Sequence, residues 1–464
     1  MSKLGFHTIT LGCKLNQFDG AAIEGELERR GLHPEPNAAL AAVVVVNTCT
    51  VTHRADADAR KLIRRVRREN PGCRLLVTGC YAEREPEALQ AAGAVDRVFG
   101  NRDKVRLASI LDELRIGTPP VDDEPPAGDR GCGAALELPR ALHFGERSRA
   151  FLRVQEGCRL ACSYCIIPTV RGPSRSVPPE QVEAAALRLF GSGYREIVLT
   201  GVNTGDYGRD LDPRITLAAL VRRLLAVAGP NRIRLNSLEP LTVTDEIVEL
   251  FVEDPRLAPH LQVPLQSGSD AILRGMRRNY RQETYSEKLR CLRSAVPHMA
   301  LGADVIVGFP GENEAAFRES LDFIASSPLN YLHIFSWSAR PGTLAAELPG
   351  RVHEGEIRRR SAELHSLAAE LSDDFRRRFV GRRLDAVVLG ERKTDAKLRA
   401  LTGNFIEVAL EAGAAARGDL IRVRVDEVCP ETVSASSDGY PAWAVPQAGS
   451  PRRSAAAGRG TLAT

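Results

Sequence analysis

Three cysteines, Cys158, Cys162 and Cys165, stand in the run EGCRLACSYCIIP with the spacing C-x3-C-x2-C. Thiolates set so close can hold three corners of one iron–sulfur cluster, whose usual complement is four cysteines. No fourth cysteine lies nearby, so one iron is left for a ligand that is not protein. Two plainer readings compete. A zinc site prefers paired C-x2-C knuckles, and free cysteines often pack as small hydrophobes. A second set lies upstream: Cys13, Cys49 and Cys80, each at the end of an apolar run. Any one of them alone reads as an ordinary buried thiol. Three at equivalent positions in successive units are harder to dismiss. Cys73 starts its run instead, faces the opposite end and reads as structural.

Elements must bring these residues together. The apolar runs FHTITLG (6–12), AAVVVVNT (41–48) and RLLVTG (74–79) alternate with helical patterns. Continuous β-branched runs between helices predict a parallel, doubly wound sheet. Ligands of such sheets bind at the carboxyl ends of the strands, so Cys13, Cys49 and Cys80 are expected on one rim. From residue 150, six further runs recur between helical segments: AFLRVQ, EIVLT, IRLNS, HLQVPL, LGADVIVGF and YLHIFSWS. Six βα units predict a partial parallel barrel, with Cys158, Cys162 and Cys165 after the first strand on the face where barrel active sites lie. Other strand-end segments fall on that rim. They carry Gly201 and Asn203 in TGVNTGDYG, Ser237 and Glu239 in LNSLEP, Gln262 and Gln266 in LQVPLQSGSD, Asp304 before GFPGE, and then ARPGT.

The expected class is α/β. Residues 1–115 form the amino-terminal sheet domain, and 116–149 a Pro-, Gly- and Asp-rich linker whose lone Cys132 is incidental. The partial (β/α)6 barrel with its following helix occupies 150–371. A small carboxyl-terminal β-barrel of OB-like size occupies 372–435, from the runs LDAVVLG, KLRALTG, FIEVALE and DLIRVRVDEV. The low-complexity tail 436–464 is expected to be disordered. Ten cysteines without a secretory signal favour metal or redox use over disulfides, and no stretch is apolar enough to span a membrane. A cytoplasmic enzyme is expected. The net charge of +4 does not by itself mark a nucleic-acid partner; its distribution matters more.

The spacing of Cys158, Cys162 and Cys165, with Tyr164 before the last, is that of the radical S-adenosylmethionine (SAM) superfamily. TLGCKLNQFD, VVNTCTVTHRADADARKLIRR, VTGCYAE and FLRVQEGCRLACSYCIIPTVRGPSRS together resemble the methylthiotransferases. The resemblance implies a [4Fe–4S] cluster on Cys158, Cys162 and Cys165 whose open iron takes SAM. It implies an auxiliary [4Fe–4S] cluster on Cys13, Cys49 and Cys80. It also implies SAM contacts from the segments of Gly201, Asn203, Ser237, Glu239, Gln266 and Asp304. The sixth segment, FSWS, departs from the usual Pro-Tyr pair and leaves Trp337 as an apolar wall. LTGNFIEVAL resembles the TRAM module, which binds RNA.

GCKLNQ and NTCTVT are most similar to the group acting on threonylcarbamoyladenosine in tRNA. The implied activity is 2-methylthiolation of that base in the anticodon stem-loop, with one SAM as radical source, a second as methyl donor, a reducing electron donor and a sulfur donor. Alternatives are the same chemistry on isopentenyladenosine or on a ribosomal protein, a radical SAM dehydrogenase or mutase with an electron-transfer second cluster, and a non-enzymatic RNA-binding iron–sulfur protein. Two arginine-rich stretches are candidate phosphate contacts. One is Arg54, Arg60, Lys61, Arg64, Arg65, Arg67 and Arg68. The other is Arg358, Arg359, Arg360, Arg376, Arg377, Arg378, Arg382 and Arg383.

Overall fold

The computed structural model describes residues 4–91, 94–118, 136–139, 142, 144–145, 147–391, 397–429 and 432–444. Strands β1 (Gly5–Thr10), β2 (His33–Pro34), β3 (Val43–Thr48), β4 (Arg74–Gly79) and β5 (Arg97–Val98) form a parallel sheet in the order β2-β1-β3-β4-β5. The run of valines in β3 is buried along its whole length, as a strand covered on both faces requires. Thr10 pairs with Asn47, and Thr48 with Gly79. The three central strands therefore end side by side, and a cysteine follows each. Helix His53–Glu69 begins at Thr52, whose hydroxyl accepts the Ala55 N–H. It buries Ala59, Leu62, Ile63 and Val66 against the sheet and turns its arginines outward.

The six expected barrel strands are all present. They are β6 (Ala150–Arg153), β9 (Glu196–Thr200), β10 (Arg232–Leu235), β11 (His260–Gln262), β12 (Ala300–Val307) and β13 (Tyr331–Ser336). They form two parallel three-stranded ladders, β10-β9-β6 and β11-β12-β13, joined by bridges Ile233–Leu257 and Ser237–Gln262. Between β6 and β9 sits a small antiparallel pair, β7 (Gln155–Glu156) with β8 (Arg175–Ser176). It ties off the two ends of the cysteine loop. Helix Lys14–Arg29 of the amino-terminal sheet packs beside edge strand β6, and helix Glu354–Arg377 packs beside edge strand β13.

In the stretch read as linker, Leu136 and Phe144 are buried in the barrel core, and Phe144 meets Phe151 and Tyr194 edge to face. Cys132 and most of that stretch lie outside the described residues.

The carboxyl-terminal module is a closed barrel of β14 (Arg383–Glu391), β15 (Leu398–Thr402), β16 (Glu407–Leu410), β17 (Leu420–Val428) and β18 (Val433–Ser437), in the order β14-β15-β16-β18-β17. The sequence predicts four of these strands; the structure adds β18, a short serine-rich segment. Trp443 beyond it donates to Asp385 at 3.1 Å. The rest of the tail read as disordered, residues 445–464, lies outside the described residues.

This module plugs the lower end of the partial barrel. Arg232 donates to the carbonyls of Asp385 and Leu401, and Arg234 to those of Thr402 and Gly403. Phe405 stacks on His260 at 4.2 Å. Glu196, fully buried, takes Arg232 at 2.6 Å and Arg234 at 2.9 Å, and the guanidiniums hold its carboxyl well below the usual range against the cost of burial. Among the described residues no helix is long and apolar enough to cross a membrane.

Candidate functional site

The auxiliary cysteines converge at the end of the amino-terminal sheet. Cys13 precedes helix Lys14–Arg29 and is exposed, whereas Cys49 and Cys80 are buried. Two glycines permit the approach. Gly12, at φ +94°, would place a Cβ 2.8 Å from Cys49 Sγ; Gly79, at φ +102°, would place one 2.3 Å from the Thr48 carbonyl. Asn16 cross-braces the loops by donating to the carbonyls of Leu11 and Thr48 at 2.8 and 2.9 Å. Burial pushes the Cys49 thiol up to about 11, and the neighbouring Cys13 and Cys80 add to the rise. Cys73 is buried at the opposite end of β4, as expected.

Cys158, Cys162 and Cys165 lie partly buried on one loop after β7. Cys165 is pushed up to about 12, by burial first and then by the other two cysteines. Sulfur in both sets receives N–H donors. Arg278 reaches Cys162 at 3.0 Å and pairs with Glu239. Arg171 reaches Cys80 with its Nε at 3.3 Å, and Asn101 does so at 3.5 Å. Among the described residues no three Cys, His, Asp or Glu side chains gather as ligands of a single metal ion; a cluster instead spreads its ligands over separate irons. Thiols in this pattern, with donors aimed at sulfur, suit iron–sulfur clusters. Bound iron reverses the cost that burial imposes on the thiolate.

The auxiliary set seats against the segment that follows the loop set. Cys80 packs on Ile166 and Val170, immediately beyond Cys165. Arg171 clamps the contact: besides Cys80 it pairs with Glu156 at 2.8 Å and with Asp19 at 3.0 Å. Asp19 also takes Lys104 at 2.7 Å, and these cations hold its carboxyl far below the ordinary range although it is buried. On the far side Arg340, from the ARPGT segment, binds Thr50 at 2.7 Å and Asp56 at 2.8 Å, in the loop and helix after Cys49.

The remaining expected residues line the same rim. Gly201 opens the loop after β9 beside Gln155, and the Asn203 N–H donates to Gln155 Oε1 at 2.8 Å. The Asn203 carbonyl oxygen Oδ1 is buried with no protein partner. The Ser237 carbonyl accepts from Thr204 at 2.7 Å. Burial pushes Glu239 up, opposed by Arg278. Gln266, at φ +66°, donates its N–H to the Asp304 carbonyl at 2.7 Å. The Asp304 carboxylate accepts from Gln262 at 2.5 Å and faces His333 at 3.2 Å. Tyr164 and Trp337 pack with Met276 and Phe309 in one apolar cluster.

Sequence reasoning did not single out Arg171, Arg278, Asn101 or Gln155. Arg171 had a faint signal, a lone charge closing the apolar stretch IIPTV. Arg278 is brought to Cys162 from a distant segment and had none. The basic stretches divide. Arg60 is engaged by Tyr81, Arg67 by Asp96, Arg359 by Glu314 and the buried Arg360 by Glu312. Lys61, Arg64, Arg65, Arg68, Arg377, Arg378 and Arg382 are exposed.

Comparison with known proteins agrees with this architecture. Residues 5–100 match the family described as "Uncharacterized protein family UPF0004", and residues 152–324 match the radical SAM superfamily. A threonylcarbamoyladenosine tRNA methylthiotransferase, MtaB, of Bacillus subtilis is 35% identical over 92% of this chain and 94% of its own. Its Aquifex aeolicus counterpart is 35% identical over 90% and 98%. A tRNA-2-methylthio-N(6)-dimethylallyladenosine synthase of Frankia alni is also 35% identical, over 94% and 89%. Among solved structures, the radical SAM methyltransferase TsrM of Kitasatospora setae shares the fold, with a TM-score of 0.54 and 16% identity over 75% of this chain and 77% of that one. On identity and coverage of this extent, the chain belongs to the radical SAM methylthiotransferases, enzymes that work with SAM and [4Fe–4S] clusters.

Proposed function

We propose that the protein is a tRNA methylthiotransferase that converts N6-threonylcarbamoyladenosine beside the anticodon to its 2-methylthio derivative. The observation that carries this reading is the seating of one thiol triplet on the segment that follows the other at the barrel mouth, through Cys80, Ile166, Val170 and Arg171. In it, Cys158, Cys162 and Cys165 hold the cluster that takes SAM, and Cys13, Cys49 and Cys80 hold the auxiliary cluster. When bound, these groups supply radical and sulfur chemistry at an aromatic C–H bond that acid–base catalysis does not reach. The chain's own residues position and enclose. Arg278 orients Cys162 and Glu239 together, and Arg171 fixes Cys80 against the barrel. Gly201, Asn203, Ser237, Glu239, Gln266 and Asp304 line the space for SAM and the base. The orphaned Asn203 Oδ1 offers an acceptor to a ligand N–H or O–H.

The target base must leave its stack to enter this mouth. The exposed arginines and the carboxyl-terminal barrel, in a TRAM-like role, contact the RNA backbone. An electron donor and a sulfur donor complete the reaction, in the cytoplasm where tRNA is found. The threonylcarbamoyl substrate is supported by the names of the Bacillus and Aquifex relatives and by the GCKLNQ motif. The Frankia relative makes dimethylallyladenosine the competing substrate. Mass spectrometry of tRNA nucleosides from cells with and without the gene separates them. Loss of the 2-methylthio group from threonylcarbamoyladenosine alone is expected. Its loss from isopentenyladenosine instead would move the substrate, and loss from neither would end the tRNA reading.

A further inference from the structure

Lys14 adjoins Cys13 in sequence, yet its side chain leaves the amino-terminal sheet and enters the barrel. Its Nζ donates to Asn236 Oδ1 at 2.6 Å, just past the end of β10. That partner is neutral. Arg149 and Arg234 lie near enough to oppose its charge, and the Asp304 carboxylate near enough to favour it. His260 on β11 faces the same group of cations and is held neutral, by burial first and then by Arg234 and Lys14.

The two lumen carboxylates are already engaged. Glu196 serves Arg149, Arg232 and Arg234, and Asp304 is held by Gln262 and His333. Lys14 is left with a neutral amide oxygen, that of Asn236, as its hydrogen-bond partner. A part-buried ammonium whose hydrogen-bond partner is neutral is costly to hold, and an anion beside it would offset that cost. A carboxylate entering the lumen beside Asn236 would supply Lys14 with a counter-ion.

We propose that Lys14 is a specificity-determining residue that pairs with a carboxylate on the substituent of the target base. This rests on the reading of the protein as an RNA-base methylthiotransferase, and it deepens that reading. A threonylcarbamoyl group carries such a carboxylate. An isopentenyl group does not, and entering the lumen it would leave Lys14 desolvated and unpaired, the condition under which a polar site rejects an analogue strongly. The auxiliary domain thus contributes to substrate choice as well as to the chemistry.

The test uses the full-length reconstituted protein and three anticodon stem-loop RNAs. One bears threonylcarbamoyladenosine, one its carboxamide and one isopentenyladenosine. Dissociation constants and KM are measured for each. The parent is expected to favour the carboxylate over the carboxamide by roughly thirtyfold or more, the loss that follows removal of one partner from a buried charge pair. In Lys14→Gln that ratio falls toward one, and in Lys14→Arg it is retained. Iron and sulfide content, and SAM affinity without RNA, stay at parent values in Lys14→Gln.

A carboxylate preference that survives Lys14→Gln would overturn the proposal. So would a loss of SAM affinity in that variant, which would assign Lys14 to the cofactor. A parent that binds and turns over the isopentenyl RNA alone would overturn the substrate reading itself, and it would do so before any variant is made.

Discussion

The two cysteine sets reach similar ends by opposite routes. Cys158, Cys162 and Cys165 share one loop, tied at its base by the β7–β8 pair. Cys13, Cys49 and Cys80 come from three strand ends and meet only because β1, β3 and β4 lie side by side in register. The loop site depends on local backbone. The assembled site depends on the whole amino-terminal sheet and on its seat against the barrel. Their thiols differ as well: all three on the loop are partly buried, while the assembled site mixes exposed Cys13 with buried Cys49 and Cys80. Ligands gathered from distant strands make a site as stable as the sheet that gathers them.

Removing each set separately is the strongest way to break the comparison. Replacing Cys158, Cys162 and Cys165 by Ala is expected to remove about half the iron and to abolish reductive cleavage of SAM. Replacing Cys13, Cys49 and Cys80 is expected to remove the other half and leave SAM cleavage measurable. Iron analysis and chromatography of 5′-deoxyadenosine decide both. If either triple variant lost all iron while its circular dichroism stayed native, the sites would not be independent.

A sharper probe is the seam between the sets. Arg171 is buried with Asp19, Glu156 and Cys80, and Arg171→Met takes one cation from each carboxylate, leaving Asp19 with Lys104 and Glu156 with Arg153. Breaking a buried pair in this way costs about 3–5 kcal/mol. The variant is expected to unfold at lower denaturant and to lose auxiliary iron first. Arg54→Met, on an exposed helix face, is the control and should shift the midpoint little. A parent-like midpoint for Arg171→Met would mean that the seam contributes nothing.

The legibility of each site follows from the same contrast. The loop set could be read from spacing alone, because its ligands are neighbours in sequence. The assembled set could be read only through β-branched runs such as VVVV at 43–46, which fixed the strands and hence the rim. The six barrel strands were legible for the same reason. Strand β18 was not: Val433–Ser437 carries the sequence VSASS, whose serines weaken the strand pattern. The arginines at sulfur were not legible either. A buried Arg and a solvated one look alike in sequence, and Arg360 had been grouped with surface phosphate contacts although Glu312 holds it inside. Arg232 and Arg234 tie the carboxyl-terminal module to the barrel floor, a contact that no motif in the sequence marks. Deleting it would uncover those charges, so its role in RNA binding is better tested on the surface.

The smallest expected effect concerns that surface and again sets two regions against each other. Lys61, Arg64, Arg65 and Arg68 are exposed on the helix that follows Cys49, while Arg377, Arg378 and Arg382 are exposed where the long helix meets the carboxyl-terminal barrel. Each phosphate contact releases counterions, so its loss lowers the slope of log affinity against log salt by about 0.7–0.9. Changing either group to Gln is expected to weaken binding of any tRNA without altering preference for the modified base, because phosphate contacts position and do not specify. Fluorescence anisotropy across a salt series gives the slope for each variant. A change in slope for both groups would place the RNA along both ends of the protein. A change for the amino-terminal group alone would confine the RNA to the auxiliary rim and remove the carboxyl-terminal barrel from the interface.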